Sequence, residues 1–294
     1  MKIHKMFAGK PRVLSFELFA PKKDEDTEKL FQTVEQLKKF GPDYVSITYG
    51  AGGSSRGKTF DIAVRLKESG LVPLMHFTCV DHSRSEVQQL LNHLKAVGIE
   101  NVLALRGDPP QGQTSFTPPV DGFRYANELV QFIRAEGYDF CLGVAGYPEG
   151  HPGAKSKDDD LLNLKKKIDA GGQFIVTQLF FNNPDYFRFL ARLRALGIQT
   201  PVQPGIWLLT DYAQIQKICG LCGVVLPEGL KSQLESVKDD KEKVAQIGID
   251  WAVKQCEELL KQGAPGIHFY VLNKSQHVQS VIEKLAAKGL SFNR

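Results

Sequence analysis

Short apolar and β-branched runs alternate along the chain with longer stretches in which Leu, Ile, Val and Phe recur at helical spacing. The runs predict strands over Val13–Ala20, Tyr44–Gly50, Val72–Val80, Asn101–Asp108, Cys141–Pro148, Phe174–Phe181, Val202–Leu209 and Gly266–Asn273. Helical spacing predicts Thr27–Phe40, Phe60–Ser69, Arg84–Val97, Arg124–Glu136, Asp159–Ala170 and Pro184–Leu196, then a longer helical insertion over Asp211–Gln262 and a final helix at Gln276–Lys288.

Strict alternation of strand and helix implies parallel strands joined by right-handed crossovers, and eight such units close a (β/α)8 TIM barrel. An open doubly wound sheet alternates too. No linker rich in Pro, Gly or Ser divides the chain, so the expectation is an α/β fold with one barrel domain over residues 1–294. In such a barrel the loops after the strands build the site. Glu17, Thr48, His76, Asp108, Tyr147, Gln178 and Tyr270 all stand near the ends of predicted strands, where a purely structural strand would carry more Val and Ile. Along the first strand, alternation puts Ser15, Glu17 and Phe19 on one face and Leu14, Phe16 and Leu18 on the other. The second face suits a helical shell, so Glu17 is expected to point into the barrel mouth.

Composition narrows the class. The 294 residues are 42% hydrophobic and 24% charged, enough for a large core and incompatible with a disordered or fibrous chain. Lys and Arg exceed Asp and Glu by 37 − 33 = 4 with the signs interspersed, which argues against nucleic-acid binding and leaves acidic small molecules open. The first thirteen residues lack the apolar run of a secretory signal, and no stretch is long enough to span a bilayer, so a cytoplasmic location without membrane attachment is expected. Five cysteines, Cys79, Cys141, Cys219, Cys222 and Cys256, are an odd number in a large chain and read as reduced thiols.

Three local motifs compete with the barrel reading. Residues 52–59 fit G-x-x-x-x-G-K-[ST] between a strand and a helix, as a phosphate-binding P-loop would, with Asp81 as a conceivable metal ligand. The match opens the second unit rather than the first and explains none of the other polar strand ends. Gly50-Ala51-Gly52 starts a dinucleotide fingerprint that fails at Ser55. Cys219 and Cys222 have zinc or redox spacing but no second pair or His to complete a centre, so no metal is expected. The acidic run 158–160 and the basic run 165–167 suit the two ends of one helix dipole.

Longer motifs point elsewhere. Ser15-Phe16-Glu17-Leu18-Phe19-Ala20-Pro21, residues 45–51, His76-Phe77-Thr78-Cys79, Ala104-Leu105-Arg106-Gly107-Asp108-Pro109, residues 145–152, residues 160–167, residues 176–181 and His268-Phe269-Tyr270-Val271-Leu272-Asn273 together resemble the methylenetetrahydrofolate reductase family, in order and from end to end. In that family the loop after the second strand is similarly rich in Gly and Ser without binding a nucleoside triphosphate. The resemblance implies an oxidoreductase of one-carbon metabolism and methionine biosynthesis. This would be a flavoprotein carrying FAD rather than FMN, which reduces 5,10-methylenetetrahydrofolate to 5-methyltetrahydrofolate. NADH or NADPH reloads the flavin in a ping-pong cycle, in a homo-oligomer. Another class of function is a flavin-binding electron-transfer subunit whose reductant is a partner protein.

The resemblance also implies roles. Glu17 matches the acid that protonates folate N10, and burial is expected to raise its pKa so that it keeps a proton near neutrality. Asp108 matches an aspartate beside the flavin that would favour the cationic iminium of the substrate. Flavin contacts carry over to Thr48, His76, Arg106, Gly107, Asp108, Tyr125, Ala126, Tyr147, His151, Asp160 and Lys167. Among these, Arg106, His151 and Lys167 would face the pyrophosphate and Asp160 the ribose. Gln178 matches a pterin-binding amide, and Tyr212, Tyr270 and Lys274 are further substrate contacts, with Lys274 directed at the glutamate tail.

Overall fold

The computed structural model describes residues 1–21, 23, 25–49, 56–80, 82–107 and 118–292. The P-loop-like match at 52–59 falls partly outside them, and Asp81 and Asp108 fall wholly outside. Among the described residues, nine parallel strand segments form a nearly closed barrel: β1 (Val13–Leu18), β2 (Tyr44–Ile47), β3 (Pro73–Thr78), β4 (Asn101–Leu105), β5 (Cys141–Gly146), β6 (Phe174–Thr177), β7 (Val202–Gln203), β8 (Gly205–Trp207) and β9 (Gly266–Tyr270). Their hydrogen-bonded order runs β7-β6-β5-β4-β3-β2-β1-β9-β8.

The nine segments occupy eight positions because the predicted strand at Val202–Leu209 is broken by Pro204. Val202 pairs with Ile175 of β6, whereas Gly205 pairs with His268 of β9. Proline has no N–H for a ladder, so the chain changes partner there, although the Pro204 carbonyl still accepts from His268 N at 2.9 Å. Gly205 follows because a Cβ would stand 2.3 Å from the Thr177 carbonyl. Its N–H instead donates to Thr177 Oγ1 at 2.9 Å. The ring thus closes covalently through one residue.

Around the barrel lie α2 (Glu25–Lys38), α3 (Arg56–Glu68), α4 (Arg84–Ala96), α5 (Ala126–Ala135), α6 (Lys157–Asp169) and α7 (Asn183–Ala195), followed by α8 (Tyr212–Cys222), α9 (Glu228–Ser236), α10 (Lys241–Lys261) and α11 (Ser275–Ala287). The expected insertion is therefore three helices. Of these, α10 packs on its shell neighbours α7 and α11, while α8 and α9 bury Ile215, Leu230 and Leu234 against Trp207 and Leu209. Alternation along β1 holds. Leu14, Phe16 and Leu18 join Leu30, Val34 and Leu37 of α2 in the core between sheet and helices, leaving Ser15 and Glu17 inward. Each of those side chains contributes roughly 1.5–3 kcal/mol on full burial.

An element absent from the sequence reading closes the other end. A 3₁₀ turn at Ile3–Lys5 and the short α1 (Met6–Gly9) place Ile3 and Met6 against Leu74, Leu103, Cys141 and Phe174 at the N-terminal ends of the strands. Ile3 N donates to Asn101 Oδ1 at 2.9 Å, and His4 N to Cys141 Sγ at 3.4 Å. Among the described residues no helix is long and apolar enough to cross a membrane. The five cysteines are free thiols.

Candidate active site

The upper half of the barrel interior is polar although it is buried. Ser15, Glu17, Ser46, His76 and His268 are at most 7% exposed, a cost accepted only where each finds partners. Their strands set the meeting: Glu17 is in register with Ser46 on one side and Tyr270 on the other, and Ser15 with His268. Glu17 Oε2 lies 3.3 Å from His268 Nε2, 3.3 Å from His76 Nε2 and 3.5 Å from Ser46 Oγ. Oε1 takes part in none of these contacts. His76 Nε2 comes close without the alignment of a hydrogen bond.

This arrangement corrects the expected protonation of Glu17. Burial does push the carboxyl up, but attraction to His76, the hydrogen bond from His268 and the charge of His268 together bring it down to about 2. Glu17 is a carboxylate at neutral pH. Beneath it, His268 Nδ1 is 2.8 Å from Ser15 Oγ, the Tyr44 ring stacks on the imidazole at 6.0 Å, and Tyr270 meets it edge-on at 5.1 Å. Neither His268 nor Ser15 was singled out as a site residue from the sequence. The signal was there, in a Ser two positions before Glu and a His two before Tyr, both on inward strand faces.

A second cluster stands at the ends of β4 and β5. The Tyr147 and His151 rings touch edge-on at 4.6 Å, and His151 N donates to Asp160 Oδ2 at 3.2 Å. Asp160 and Lys167 lie seven residues apart on one face of α6, whose Ser156 cap and acidic first turn suit its dipole. Burial raises the Asp160 carboxyl and lowers the Lys167 amine to about 8, each partly offset by the other. Lys167 Nζ donates to the Ala145 carbonyl at 2.6 Å. Gly107 stands nearby in chain order at φ 92, with its missing Cβ 2.5 Å from Val80 Cγ1, so no other residue fits there without displacement. Arg106 is half-buried, with Nε donating to the Gly107 carbonyl at 3.2 Å. Tyr125 is 56% exposed at the start of α5, next to Ala126.

Tyr270 is influenced by both clusters, since the charges of Glu17 and Tyr147 add to burial in raising its phenol. Its hydroxyl is committed to the Thr177 carbonyl at 2.6 Å, so the ring is what it can offer a ligand. Beside it, a small open hollow is lined by Trp207, Gln214, Leu272, Lys274 and His277 as well as Tyr270. Leu272 and the following Asn273 take left-handed conformations, φ 49 and 58, and Asn273 clamps Phe19 through both Phe19 N and O at 2.9 Å. Gln178 is half-buried, with Oε1 accepting from Leu179 N at 2.9 Å, so its NH2 end is the one left for a ligand. Thr48 Oγ1 accepts from Ala20 N at 3.3 Å. Tyr212 does not line that hollow, and its hydroxyl donates to Glu235 Oε1 on α9 at 3.2 Å. Cys219 and Cys222 end α8, and burial with the charges of Cys222 and Glu149 pushes the Cys219 thiol to about 11. No cluster of metal-ligating residues occurs among the described residues.

Comparison with solved structures supports the barrel. A Clostridium thermocellum protein described as binding two copies of 5-methyl-5,6,7,8-tetrahydrofolic acid superposes over 99% of both chains with a TM-score of 0.67 at 16% identity. Oxaloacetate acetylhydrolase, at 10% identity, superposes over all of this chain and 88% of its own with a TM-score of 0.51. In sequence, the chain is 37% identical to the probable methylenetetrahydrofolate reductase (NADH) of Oryza sativa subsp. japonica, over 97% of this chain and 50% of that protein. It is 34% identical to the 5,10-methylenetetrahydrofolate reductase of Salmonella typhimurium, over 94% of this chain and 91% of that one. The chain thus spans about half the length of the plant relatives and about nine tenths of the bacterial one. The family model for methylenetetrahydrofolate reductase matches residues 2–286, nearly the whole barrel including every described strand, and the chain belongs to that family.

Proposed function

We propose that the chain reduces 5,10-methylenetetrahydrofolate to 5-methyltetrahydrofolate using a bound FAD that NADH or NADPH reloads. The observation that carries this reading is the buried Glu17 carboxylate at the barrel mouth with two imidazoles on one of its oxygens. Family membership supports it, as do the folate named for the Clostridium thermocellum neighbour and the NADH named for the plant relatives.

The second cluster fits a flavin dinucleotide. Lys167 is a cation whose burial is incompletely compensated, a state that an anionic phosphate would relieve. His151 and Arg106 add donors, buried Asp160 offers an acceptor for ribose hydroxyls, and Tyr147 offers a ring wall. Thr48, His76, Gly107, Tyr125 and Ala126 complete the proposed contacts, and the part given to Asp108 rests on the resemblance alone. When bound, the flavin supplies the hydride.

The chain's own residues handle charge and protons. Opening the folate imidazolidine ring needs a proton on N10 and generates a cation at N5. A fixed carboxylate at Glu17 stabilises that cation in a site with little water, and it needs no reorganisation as the charge develops. The proton is held within the Glu17, His76 and His268 set. The hollow between Tyr270 and Lys274 suits the aromatic and carboxylate parts of the folate tail, and the Gln178 amide suits the pterin edge.

The test is anaerobic. The purified protein should carry a flavin bleached by NADH or NADPH and restored by methylenetetrahydrofolate. Glu17→Gln should keep the first step and lose roughly 10²-fold or more in the second. Flavin that no nicotinamide bleaches, or a Glu17→Gln variant reoxidised at the wild-type rate, would refute the reading.

A further inference from the structure

No step of the proposed chemistry uses Cys219 or Cys222. Both stand on the last turn of α8, three residues apart and so neighbours on one face of the helix. They are also the accessible thiols: Cys79, Cys141 and Cys256 are buried, whereas Cys219 and Cys222 are half-buried.

The turn they occupy is docked on the loop after β5. Helix α8 ends at Gly223 in the left-handed conformation, φ 66, and the Gly223 and Val224 N–H groups both donate to the Cys219 carbonyl. A Cβ on Gly223 would stand 2.7 Å from Pro152 Cγ, so the backbone here is pressed against the proline ring. Two residues on, Val225 N donates to Glu149 Oε2 at 3.1 Å. Glu149 and Pro152 flank His151, whose N–H holds Asp160. The end of α8 thus anchors the loop that carries Tyr147 and His151, both assigned to the cofactor. The anchor is a marginal one. Burial raises the Glu149 carboxyl and the Val225 N–H offsets this only in part, so undocking returns the group to water at little cost.

A disulfide does not fit this turn as it stands. Side chains three apart on a regular helix have Cβ atoms about 5–6 Å apart, whereas a disulfide needs about 3.5–4.5 Å. Closure therefore draws Cys222 toward Cys219 by roughly 1–2 Å, and Gly223 and Val225 move with it, away from Pro152 and Glu149.

We propose that Cys219 and Cys222 are a reversible disulfide site for low-molecular-weight disulfides, whose closure undocks the end of α8 from residues 147–152 and so loosens the hold on the cofactor. The consequence for the cofactor rests on the proposed function; the bridge and the undocking do not. The step balances. Both cysteine S–H bonds and the S–S bond of the small disulfide break, one S–S bond forms between Cys219 and Cys222, and the two sulfurs of the small disulfide leave with the two protons as thiols. The protein gives up two electrons and the small molecule gains them. Burial and the charges of Cys222 and Glu149 hold the Cys219 thiol at about 11, so attack by its thiolate is slow and the site answers a sustained change in thiol–disulfide balance.

The probe is oxidised glutathione, added to the full chain as purified. The tryptic peptide 218–231 contains Cys219 and Cys222 and no other cysteine, so the bridge reads as that peptide lighter by two hydrogens and closed to alkylation until dithiothreitol is added. Amide hydrogen exchange at Val225 should quicken, and flavin affinity should fall, each by about tenfold, the scale of one hydrogen bond to a charged group. Cys219→Ser and Cys222→Ser should each ignore the probe. Glu149→Ala, which removes the acceptor of the Val225 N–H, should show the faster exchange and the weaker flavin binding with no probe present. A glutathione adduct on one cysteine without a bridge, a bridge that leaves Val225 exchange or flavin affinity unchanged, or a serine variant that still responds would overturn the proposal. The peptide mass and the exchange rate can be read even if the protein holds no flavin and proves inactive on folate, so the two readings fail separately.

Discussion

Lys167→Met should make the flavin-free protein more stable while weakening its hold on the cofactor. Burial brings the Lys167 amine from its ordinary 10.5 to about 8, a difference that corresponds to a penalty of about 3 kcal/mol on the folded state at pH 7. Methionine removes the charge at similar length. It also leaves the Ala145 carbonyl without its 2.6 Å donor, which costs about 1 kcal/mol. The net expectation is a gain of about 2 kcal/mol at pH 7. Between pH 8 and 10.5 the unfolded chain binds more protons at this lysine than the folded one, so wild-type stability rises with pH across that window. The advantage of the variant should therefore shrink above pH 8 and reverse near pH 10, where only the lost hydrogen bond remains. Urea unfolding of both flavin-free proteins at several pH values measures the gap, and flavin content after purification measures the other half. A variant less stable at pH 7, or a gap that stays flat from pH 7 to 10, would refute the account of Lys167 as an incompletely compensated cation.

Three further outcomes follow from the same geometry. Gly107→Ala should cost about 2 kcal/mol or more, read by thermal unfolding, because φ 92 is strained for alanine and the new Cβ meets Val80 and Thr78. Asn273→Ala should lose about 2 kcal/mol from two hydrogen bonds to Phe19 and a left-handed backbone that asparagine tolerates better than alanine, measured by urea unfolding. The Glu17 carboxyl is held below its ordinary value of 4.5, so the stability it adds is complete above that pH and is lost as the pH falls through about 2. Acid unfolding curves of wild type and Glu17→Gln should accordingly converge toward pH 2 and separate above it.

The barrel was legible because both of its periodicities are strong. Eight apolar runs separated by amphipathic stretches leave little choice of fold, and β1 shows its two faces in six residues. The predicted strands began at the observed first residue or one before it, yet overran the C-terminal end by two to four residues at most positions. The cause is functional: Thr48, Tyr147 and Gln178 follow apolar residues that look like strand but have already left the sheet to form the rim. Pro204 was visible inside a predicted strand, and its meaning was not, because a change of partner depends on what lies on each side. The Glu17 carboxyl was misjudged for the same reason. Its burial can be inferred from the pattern, but the sign of its shift depends on His76 and His268, which reach it from strands 59 and 251 residues away along the chain.

The short helix at the chain's start bears on how that charge survives in the interior. Glu17 and its histidines occupy only the upper part of the barrel. Below them come the neutral Tyr44 and Gln203, and below those an apolar floor of Leu74, Leu103 and Phe174 capped by Ile3 and Met6. A buried ion pair contributes little net stability and costs much when broken, so a barrel filled with such groups throughout would fold poorly. Confining them to the open end leaves the floor to supply apolar burial, while the neutral middle layer satisfies its hydrogen bonds internally and lays the Tyr44 ring against the imidazole. The same layering predicts a separation of effects. Phe174→Ala, at the floor, should lower stability by about 3–5 kcal/mol in urea unfolding and leave the acid behaviour of Glu17 in place. Glu17→Gln should instead change the acid behaviour itself, removing the dependence of stability on pH between about 2 and 4.5, because a neutral amide has no proton to gain there. If the floor substitution shifted the acid unfolding curve in the way Glu17→Gln does, the two layers would be one cooperative unit and this division of labour would be wrong.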